Sequence, residues 1–454
     1  MTTGIGAAPR DPAAFPPRPV ANQAGPAARR ALLASALGWL FDGYETYALI
    51  LVGAVAIRDL VAPDQLAQLP LYFGGLTAVT LLGWATGGLV CGVLADYLGR
   101  RRTLMLSILL YAAFTGLSAA AQSYWVLLVF RFLTGLGLGG EFAPGTTLVG
   151  ELWPPARRGR AAGTLASAFG FGCLLASGLW LLVGGLGHGA WRVMFLLGVL
   201  PAFLLLWLRR SVEDPAIWRE ADRRRRSARQ AAKVGRRLSE DERRLTLFTM
   251  AGLFTSPELR RRTLLLLVMA LASVVGYWGV ASWVPQYAGH VAARAGYTAG
   301  RWGAVAGLLF SVGGIAGYLV LGVLGDLWGR KPTIALFFAA SVVATVAPFL
   351  IDDDLVLFMA AATANGFFIS GQFAWMAMYL PEVYPTAVRG TGTAVVFNSA
   401  RYLAAVGPLV AGWVVESLGG IVHAAALMSA IYLLGLAATP FAAPETKGQP
   451  LPDI

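Results

Sequence analysis

The stretch GVLADYLGRRRT, residues 92–103, recurs as GVLGDLWGRKPT at residues 322–333, and each copy lies between long apolar segments. Both copies keep two Gly, one Asp and one Arg at the same relative positions. A second charged motif recurs at nearly the same distance along the chain, as ELWPPARRG at 151–159 and EVYPTAVRG at 382–390. Since two different loops recur with nearly the same separation in residues, a unit of the chain has been duplicated.

The segments between these loops have the composition of a membrane protein. Of the 454 residues, 57% are hydrophobic and only 13% are charged, with a mean hydropathy of +0.64. Soluble domains carry about a quarter charged residues, and an apolar run of about 20 residues can cross a bilayer as a helix. The sequence predicts twelve such spans. They lie near residues 31–55, 70–95, 103–122, 125–149, 161–184, 190–208, 263–287, 302–325, 332–350, 354–380, 391–416 and 420–442.

Basic residues predict the orientation of these spans. With the N terminus in the cytoplasm, only Arg58, Arg192, Arg294 and Arg301, of the 36 Lys and Arg residues, fall on the outer side outside the spans. The positive-inside rule therefore favours cytoplasmic termini and a multi-pass protein of the inner membrane. The net charge of +12 therefore reflects the basic residues of the cytoplasmic loops. Nucleic acid is not expected as a partner.

The duplication and the spans together predict five segments. These are a disordered cytoplasmic tail at 1–30, a six-helix bundle at 31–208, a basic cytoplasmic linker at 209–262, a second six-helix bundle at 263–442 and a tail at 443–454. The predicted fold class is an all-α integral membrane protein. Its two bundles are related by a pseudo-twofold axis along the membrane normal, which is a transporter architecture.

Several motifs carry a resemblance to a known family. The paired G-x-x-x-D-x-x-G-R-[RK] loops, the paired E-x-x-P-x-x-x-R-G loops and RFLTGLGLGGE at 131–141 resemble the major facilitator superfamily of transporters. RRSVEDPAIW at 209–218 and PETKG at 444–448 are similar to its sugar-porter and organic-ion branches. The resemblance covers about residues 31–450. It implies alternating access, in which the repeated loops form a clasp that holds the two halves together while the site faces outward.

The repeated loops also have a physical interpretation of their own. Asp96 and Asp326 can sit against the positive N terminus of a neighbouring helix or pair with an arginine. A plain positive-inside anchor would need the arginines but not the aspartates. A cytoplasmic clasp is therefore predicted from Gly92, Asp96, Gly99, Arg100, Glu151, Arg158, Gly322, Asp326, Gly329, Arg330, Glu382 and Arg389.

Charged residues inside the spans indicate where the chemistry lies. Asp42 and Glu45 face one side of the first span. Counting 1.5 Å per residue places Glu45 about 21 Å along it, at a depth similar to that of Arg131 in the fourth span. Buried ion pairs can be purely structural, but ionisable groups inside spans usually have a function. The sequence therefore predicts proton coupling by Asp42, Glu45, Arg131 and Glu141.

The same residues extend the family resemblance. GYET at 43–46 matches the position of the proton-linked acid of sugar–proton symporters, and Arg131 matches their span-four arginine. DGYE at 42–45 resembles the D-G-[FY]-D signature of aromatic-acid symporters, with Glu45 in place of the second Asp.

Arg401 is the main sequence indication of the substrate. An arginine near the midplane suits a carboxylate, which its planar guanidinium can bind through two hydrogen bonds, although it could instead pair with Asp42. RYLAAVGP at 401–408 resembles span eleven of aromatic-acid and organic-anion carriers, and the glutamine pairs of sugar porters are missing. Aromatic residues near the site could stack on a ring or simply pack. The predicted substrate-binding residues are Tyr44, Tyr277, Trp278, Gln372, Trp375, Asn398 and Arg401.

These residues predict a secondary transporter that moves a small organic solute, first of all an organic (aromatic) carboxylate, by proton symport. A proton-coupled transporter of sugars or other metabolites, and an uncoupled facilitator, stay open as alternatives. The three histidines fall in outer loops or at span ends, and no H-E-x-x-H or C-x-x-C motif is present. An enzyme is therefore not expected, nor is a cofactor or metal. The predicted partners are protons, a small-molecule substrate and the lipid bilayer, and the predicted state is a monomer.

Overall fold

The computed structural model describes residues 24–187, 189–281, 283–406 and 415–453, and every regular element within these ranges is helical. The first half contains α1 (Pro26–Leu60), α2 (Leu69–Leu98), α3 (Arg100–Ser118), α4 (Tyr124–Leu152), α5 (Arg158–Val183), α6 (Ala190–Leu197) and α7 (Pro201–Ser211). The linker contains α8 (Ala216–Lys233), α9 (Glu240–Thr246) and α10 (Thr249–Thr255). The second half contains α11 (Pro257–Trp278), α12 (Trp283–Arg294), α13 (Ala299–Trp328), α14 (Arg330–Val346), α15 (Leu355–Gly371), α16 (Ala374–Val383), α17 (Arg389–Ala404) and α18 (Ile421–Ala442).

Local sequence explains where several of these helices begin and end. Gly99 (φ 100°) ends α2 and Gly329 (φ 113°) ends α13, in a backbone region that favours glycine. The next residue in each case begins a new helix, so each repeated loop is a sharp corner. Ser123 caps α4 and Asp354 caps α15 by accepting hydrogen bonds from first-turn N–H groups.

Nine helical segments among the described residues are long and apolar enough to cross a membrane. They are Pro26–Leu60, Pro63–Leu98, Tyr124–Leu152, Pro155–Leu186, Pro257–Arg294, Ala299–Trp328, Arg330–Leu350, Leu355–Val383 and Ile421–Ala442. The three other predicted spans have identifiable features. α3 carries three arginines in its first turn, the sixth span is divided into α6 and α7, and residues 407–414 of the eleventh lie outside the described residues.

Three predicted spans are interrupted rather than continuous. The span at 190–208 breaks between α6 and α7, where Pro201 starts a new helix because proline lacks the N–H that a continuing helix needs. The span at 263–287 is divided into α11 and α12. The span at 354–380 is interrupted at Gln372, where tighter turns appear, such as that from the Trp375 N–H to the Gln372 carbonyl.

The predicted ends of the tail and linker also need correction. α1 begins at Pro26, a favoured first helical residue, so residues 26–30 are helical and not part of a disordered tail. Residues 1–23 of the predicted tail lie outside the described part of the chain. The basic linker is largely helical, and α11 begins at Pro257, before the predicted boundary at 263.

Helix packing brings the two halves into contact along two lines. Within the halves, α1 packs on α5, α2 and α3 pack on α4, α13 packs on α15, and α11 and α14 pack on α18. Between the halves, α2 packs on α17 and α5 on α13. Both contacts need glycine, since a Cβ at Gly92 would collide with Ala394 and one at Gly322 would lie 2.5 Å from the Gly159 carbonyl oxygen.

Candidate functional site

The first repeated loop contacts the N terminus of a helix from the other half. The Asp96 carboxylate is fully buried and accepts hydrogen bonds from the N–H groups of Gly390 (3.0 Å) and Thr391 (2.8 Å) and from the Thr391 hydroxyl (2.7 Å). Arg100, from the same loop, also donates a hydrogen bond to Asp96 at 3.2 Å. A carboxylate at this position interacts favourably with the partial positive charge at the start of α17.

The second repeated loop makes the reciprocal contact. The Asp326 carboxylate accepts hydrogen bonds from the N–H groups of Gly159 and Arg160, both at 2.9 Å, at the start of α5. Arg330 donates to it at 3.0 Å. Each half therefore supplies an aspartate that caps a helix of the other half.

Two glutamates extend this network. Glu151 accepts hydrogen bonds from Arg100 (2.9 Å) of its own half and from Arg389 (2.7 Å) of the other. Glu382 likewise accepts from Arg330 (2.7 Å) of its own half and Arg158 (3.1 Å) of the other. The predicted clasp residues are thus brought together at one end of the molecule, and the network is closed in this structure. The residues of the two repeated motif pairs are called the clasp below.

The linker and the C-terminal segment also contact the clasp. Arg225 of α8 donates to the carbonyls of Asp96 (2.6 Å) and Ala387 (2.5 Å), which lie in opposite halves. The Pro452 carbonyl accepts a hydrogen bond from Arg389 at 2.8 Å. The Arg225 contacts join the two halves, whereas the Pro452 contact joins the C-terminal segment to the second half. The sequence motifs did not predict these contacts, because a main-chain carbonyl carries no sequence signature.

Glu445 caps α14 from the C-terminal segment. Its carboxylate accepts hydrogen bonds from the N–H groups of Arg330 (2.8 Å) and Lys331 (3.0 Å). Burial raises the pKa of Glu445, but these hydrogen bonds, one from the Lys447 N–H and the charge of Arg330 outweigh it. The pKa of Glu445 therefore lies below its ordinary value.

Deeper in the first half, Glu45 of α1 and Arg131 of α4 form a fully buried ion pair at 3.3 Å. The Arg131 guanidinium also lies 5.1 Å from the ring centre of Phe195. Neither Nε nor Nη2 of Arg131 has a hydrogen-bond partner among the described residues. The pair is therefore incompletely satisfied, which is costly in a low-dielectric environment.

Asp42 and Glu141 are a second, adjacent pair of acids. Both side chains are buried and interact with each other. Gly38 makes room for Glu141, because a Cβ there would lie 2.6 Å from its Oε2. None of the four carboxylate oxygens meets hydrogen-bond geometry with a donor among the described residues.

Arg401 of α17 faces this acid pair from the second half. Its guanidinium lies 4.8 Å from the ring centre of Trp84 and donates a hydrogen bond to the Phe397 carbonyl at 2.6 Å. Asp42 interacts with it electrostatically, but no carboxylate of the described chain lies within ion-pair distance of it. The direct ion pair with Asp42 that the sequence left open is therefore not formed.

The remaining predicted binding residues differ in their availability. Gln372 and Trp375 are buried and both contact Ser273, whose hydroxyl donates to Gln372 (2.9 Å) and accepts from Trp375 (3.1 Å). The Nε2 atom of Gln372 has no partner among the described residues. The Tyr44 hydroxyl donates to the Met194 carbonyl at 2.7 Å, which directs it toward α6 and away from a shared site.

Three further predicted binding residues, Tyr277, Trp278 and Asn398, lie in the second half. Tyr277 packs edge-on against Trp278, with ring centres 5.5 Å apart. Asn398 lies against Gly88 of α2, where its Oδ1 atom has no hydrogen-bond partner among the described residues. Asn398 therefore lies at the contact between the two halves, close to Arg401 on the same helix.

An aromatic contact not expected from the sequence separates Arg401 from the clasp. Phe142 of α4 stacks on Phe397 of α17, with ring centres 3.4 Å apart and an interplanar angle of 7°. Trp39 of α1 packs against both rings. The stack joins the halves between Arg401 and the start of α17. Isolated phenylalanines in apolar spans gave no signal for it.

Two hydroxyl residues of α3 also lie at the site without having been predicted. Tyr111 interacts electrostatically with Glu141, but neither its hydroxyl nor that of Thr115 has a hydrogen-bond partner among the described residues. Both side chains are fully buried. Their spacing of one helical turn on the buried face of α3 is the signal that could have identified them.

Comparisons with known proteins bear on the family and the fold. The sequence matches the family model described as Major Facilitator Superfamily over residues 36–315 and 295–453. It is 34% identical over 423 residues to a Haemophilus influenzae protein named for metabolite transport, covering 93% of this chain and 97% of that protein. It is 28% identical over 411 residues to the cis,cis-muconate transport protein of Acinetobacter baylyi, covering 89% of this chain and 91% of that protein.

A solved structure has the same fold. The proton:xylose symporter XylE, bound to 6-bromo-6-deoxy-D-glucose, superimposes with a TM-score of 0.72 over 94% of this chain and 98% of that chain. The two sequences are 22% identical, so the likeness concerns the fold alone.

Proposed function

The chain belongs to the major facilitator superfamily and is a transport protein rather than an enzyme, and from this premise we propose that it is a proton symporter for a small organic carboxylate. The observation that carries the proposal is the juxtaposition of two buried acids, Asp42 and Glu141, with the buried cation Arg401. Among the described residues, the acids have no donor with hydrogen-bond geometry and Arg401 has no carboxylate within ion-pair distance. The acids suit a proton and the cation suits an anion.

The proposed architecture has twelve spans in two six-helix bundles related by a pseudo-twofold axis, with both termini cytoplasmic, in a monomer of the inner membrane. The helix contacts support the symmetry. In the duplication, α13 corresponds to α2 and α17 corresponds to α5. The pseudo-twofold axis therefore relates the α2–α17 contact to the α13–α5 contact. The excess of basic residues on the clasp side supports cytoplasmic termini.

The proton is assigned to the acids of α1 and α4. Leaving a carboxylate in an apolar environment without donors costs several kcal/mol, and protonation relieves this cost. Two adjacent carboxyls also repel each other when both are ionised, so one of the two keeps a proton more readily. Asp42 and Glu141 therefore share or relay a proton, and their titrations are coupled. Glu45 gains or loses its partner Arg131 as its own protonation changes.

The carboxylate of the substrate is assigned to Arg401. The planar guanidinium can bind a carboxylate through two hydrogen bonds, and the neighbouring Trp84 ring can contact an aromatic or unsaturated substrate body. The name of the Acinetobacter baylyi relative, a cis,cis-muconate transport protein, supports an organic anion. Asn398 and Gln372 offer polar atoms without partners among the described residues for the rest of the substrate.

Transport then follows from alternating access. With the clasp closed and the site open to the other side, Glu45 takes a proton and releases Arg131, while the anion binds at Arg401. Protonation of Glu45 and binding of the anion at Arg401 neutralise these buried charges. This lowers the free-energy barrier between the state open to the other side and the state open to the clasp side. The clasp then separates, the Phe142–Phe397 stack opens, and substrate and proton leave on the clasp side. Reformation of the Glu45–Arg131 ion pair accompanies the return.

Uptake into proteoliposomes tests the proposal. We expect radiolabelled cis,cis-muconate or benzoate to accumulate above its equilibrium concentration, and above its level in protein-free liposomes, when only a pH gradient is imposed. This protein-dependent accumulation should be lost when a protonophore is added. Accumulation of xylose alone would favour the proton–sugar alternative. Equilibration without accumulation would identify an uncoupled facilitator and contradict symport.

A further inference from the structure

α2 and α17 meet in an antiparallel seam between the two halves. The Asn398 side chain fills the space that Gly88 leaves free, since a Cβ at Gly88 would collide with the Asn398 amide. About one helical turn further along the seam, the Arg401 guanidinium lies 4.8 Å from the ring centre of Trp84. Trp84 of the first half therefore faces Arg401 of the second half across the seam.

The indole N–H of Trp84 is buried without a partner. Trp84 is 2% exposed, and its Nε1 atom has no acceptor among the described residues. Other buried tryptophans of the described chain use this group, as Trp191 donates to Asp59 (2.7 Å) and Trp218 donates to the Asp96 carbonyl (3.2 Å). A buried indole N–H usually has a hydrogen-bond partner, and leaving a buried donor unsatisfied is unfavourable. The Trp84 N–H is therefore a donor that a bound ligand can use.

Arg401 has an unused donor beside this N–H. Its Nη1 atom donates to the Phe397 carbonyl, whereas its Nε atom has no acceptor among the described residues. Neither a guanidinium nor an indole N–H can accept a hydrogen bond, so the two side chains together present donors and no acceptor. Such a site suits an ionised carboxylate, which has only acceptors, better than an amide, which carries donors of its own.

Neighbouring helices hold the backbone and the ring of Trp84 in place. Glycines of α4 allow a close approach, because a Cβ at Gly139 would collide with the Trp84 carbonyl oxygen and one at Gly135 would lie 2.9 Å from the Trp84 nitrogen. The ring packs edge-on against Trp39 of α1, with ring centres 6.4 Å apart. The donor is thus oriented before a ligand binds, which reduces the entropy that binding costs.

Asn398 offers a competing use for this N–H. Its Nδ2 atom donates to the Ala394 carbonyl at 3.1 Å, which leaves Oδ1 as the free acceptor of the amide. A hydrogen bond from Trp84 to this Oδ1 atom would give Trp84 a role in packing alone. Neither atom has a partner among the described residues, so this bond is not formed in the arrangement with the clasp closed.

We propose that Trp84 is a substrate-binding residue that donates its indole N–H to one carboxylate oxygen of the substrate, while Arg401 donates to the other. The two donors come from opposite halves, so the bound carboxylate joins α2 to α17. This inference rests on the proposed transport of an organic carboxylate and deepens it, because a site with donors only selects an ionised carboxylate over the corresponding neutral amide.

Magnetic resonance of the indole N–H groups in purified protein, in detergent at neutral pH, tests the inference. The Trp84 resonance is assigned by its loss in Trp84→Phe, a variant that keeps an aromatic ring beside Arg401. We expect benzoate or cis,cis-muconate to move the Trp84 proton resonance downfield, because the N–H gains a hydrogen bond to a carboxylate. Isothermal titration should show that Trp84→Phe binds the same carboxylate about tenfold or more weakly, which is the effect of one charged hydrogen bond.

Trp191→Phe is the matched control, since it removes a buried indole N–H that already binds Asp59, and it should bind the carboxylate with wild-type affinity. Benzamide is the ligand control and should bind the wild-type protein about tenfold or more weakly than benzoate. An unmoved Trp84 resonance at saturating carboxylate, or wild-type affinity in folded Trp84→Phe, overturns the inference and leaves Trp84 a packing residue.

The same titrations separate this inference from the proposed function. Failure of both carboxylates to bind the wild-type protein contradicts the proposed transport of an organic carboxylate, and the Trp84 assignment with it. Binding that depends on Arg401 but not on Trp84 overturns the Trp84 assignment alone. Since binding needs no pH gradient, a failure of proton coupling does not affect either result.

Discussion

Asp96 and Arg401 are connected through one helix: Asp96 accepts hydrogen bonds from the first turn of α17, and Arg401 lies about 15 Å further along that helix. Separation of the clasp therefore frees the helix that carries the proposed anion-binding residue. Arg401 also approaches Trp84 of α2, the helix that carries Asp96. The proposed substrate site and the clasp thus share the same pair of helices, which gives a direct route for coupling between them.

Neutralising the clasp aspartate tests this coupling. Asp96→Asn retains the shape but weakens the cap on α17, and losing a charged hydrogen bond costs about 1.5–3 kcal/mol. We expect exchange of substrate across proteoliposome membranes to slow about tenfold or more, with substrate binding retained. Asp326→Asn should have a smaller effect, because no side-chain hydroxyl among the described residues donates to Asp326 as that of Thr391 donates to Asp96. Wild-type exchange rates in both variants would contradict a clasp.

Close packing between the halves supplies a second test. Gly322→Ala places a methyl group 2.5 Å from the Gly159 carbonyl oxygen, so the clasp cannot close fully. We expect at least a tenfold loss of transport at normal membrane abundance. Gly300→Ala is a matched control in the same helix, since a Cβ there meets nothing within 4 Å. Equal activity of the two variants would show that this close contact is dispensable.

The proposed anion site is tested by substitution of Arg401. Arg401→Ala removes a buried charge whose loss from a hydrogen-bonded pair costs about 2–5 kcal/mol, or tens- to thousands-fold in affinity. Arg401→Lys keeps the charge but not the planar fork, and should have intermediate affinity. Isothermal titration with the transported carboxylate measures both. Normal binding of the substrate by Arg401→Ala would exclude the anion assignment.

The coupling acid is tested by comparing two transport modes in the same liposomes. Glu45→Gln resembles the protonated side chain, so it should bind substrate and exchange it at a rate close to wild type. It should fail to accumulate substrate when a pH gradient is the only driving force. Retained accumulation would move the proton site to Asp42 or Glu141, to be tested by Asp42→Asn and Glu141→Gln. Retention in all three variants would leave symport without a proton-carrying residue.

The Glu445 cap predicts a pH dependence of stability outside the membrane. Since its pKa lies below the ordinary value of 4.5, its stabilising contribution is present above pH 4.5 and disappears as pH falls through the lowered value. Glu445→Gln should destabilise the protein by about 1 kcal/mol or less at pH 7, the lower part of the range for a helix cap, because solvent screens the exposed carboxylate. Thermal unfolding in detergent at pH 7 and at acidic pH measures this difference. Exposed Glu416→Gln is the control, and an equal loss of stability at both pH values would contradict the assignment.

Much of the fold could be predicted from residue type and spacing. Long apolar runs indicated the spans because a bilayer core requires uninterrupted helices of a set length. The interruptions within three of these spans were not predicted. At the sixth span, Pro201 was a visible signal, but its effect depends on whether neighbouring helices satisfy the broken hydrogen bonds. At Gln372 there is no proline, and the break is a feature of the packed helices.

The sequence by itself determined the chemistry and the depth of the charged residues. The helical rise is constant, so counting residues placed Glu45 and Arg131 at one level, where the structure has them 3.3 Å apart. The repeated motifs likewise identified the aspartates and arginines at the corners between helices. Only the tertiary structure decided that Glu151 binds an arginine from each half, that the Tyr111 and Thr115 hydroxyls are buried without a hydrogen-bond partner among the described residues, and that Phe142 stacks on Phe397. Such contacts depend on how each helix is rotated and how closely it packs, which is fixed by all its neighbours at once and not by any local pattern.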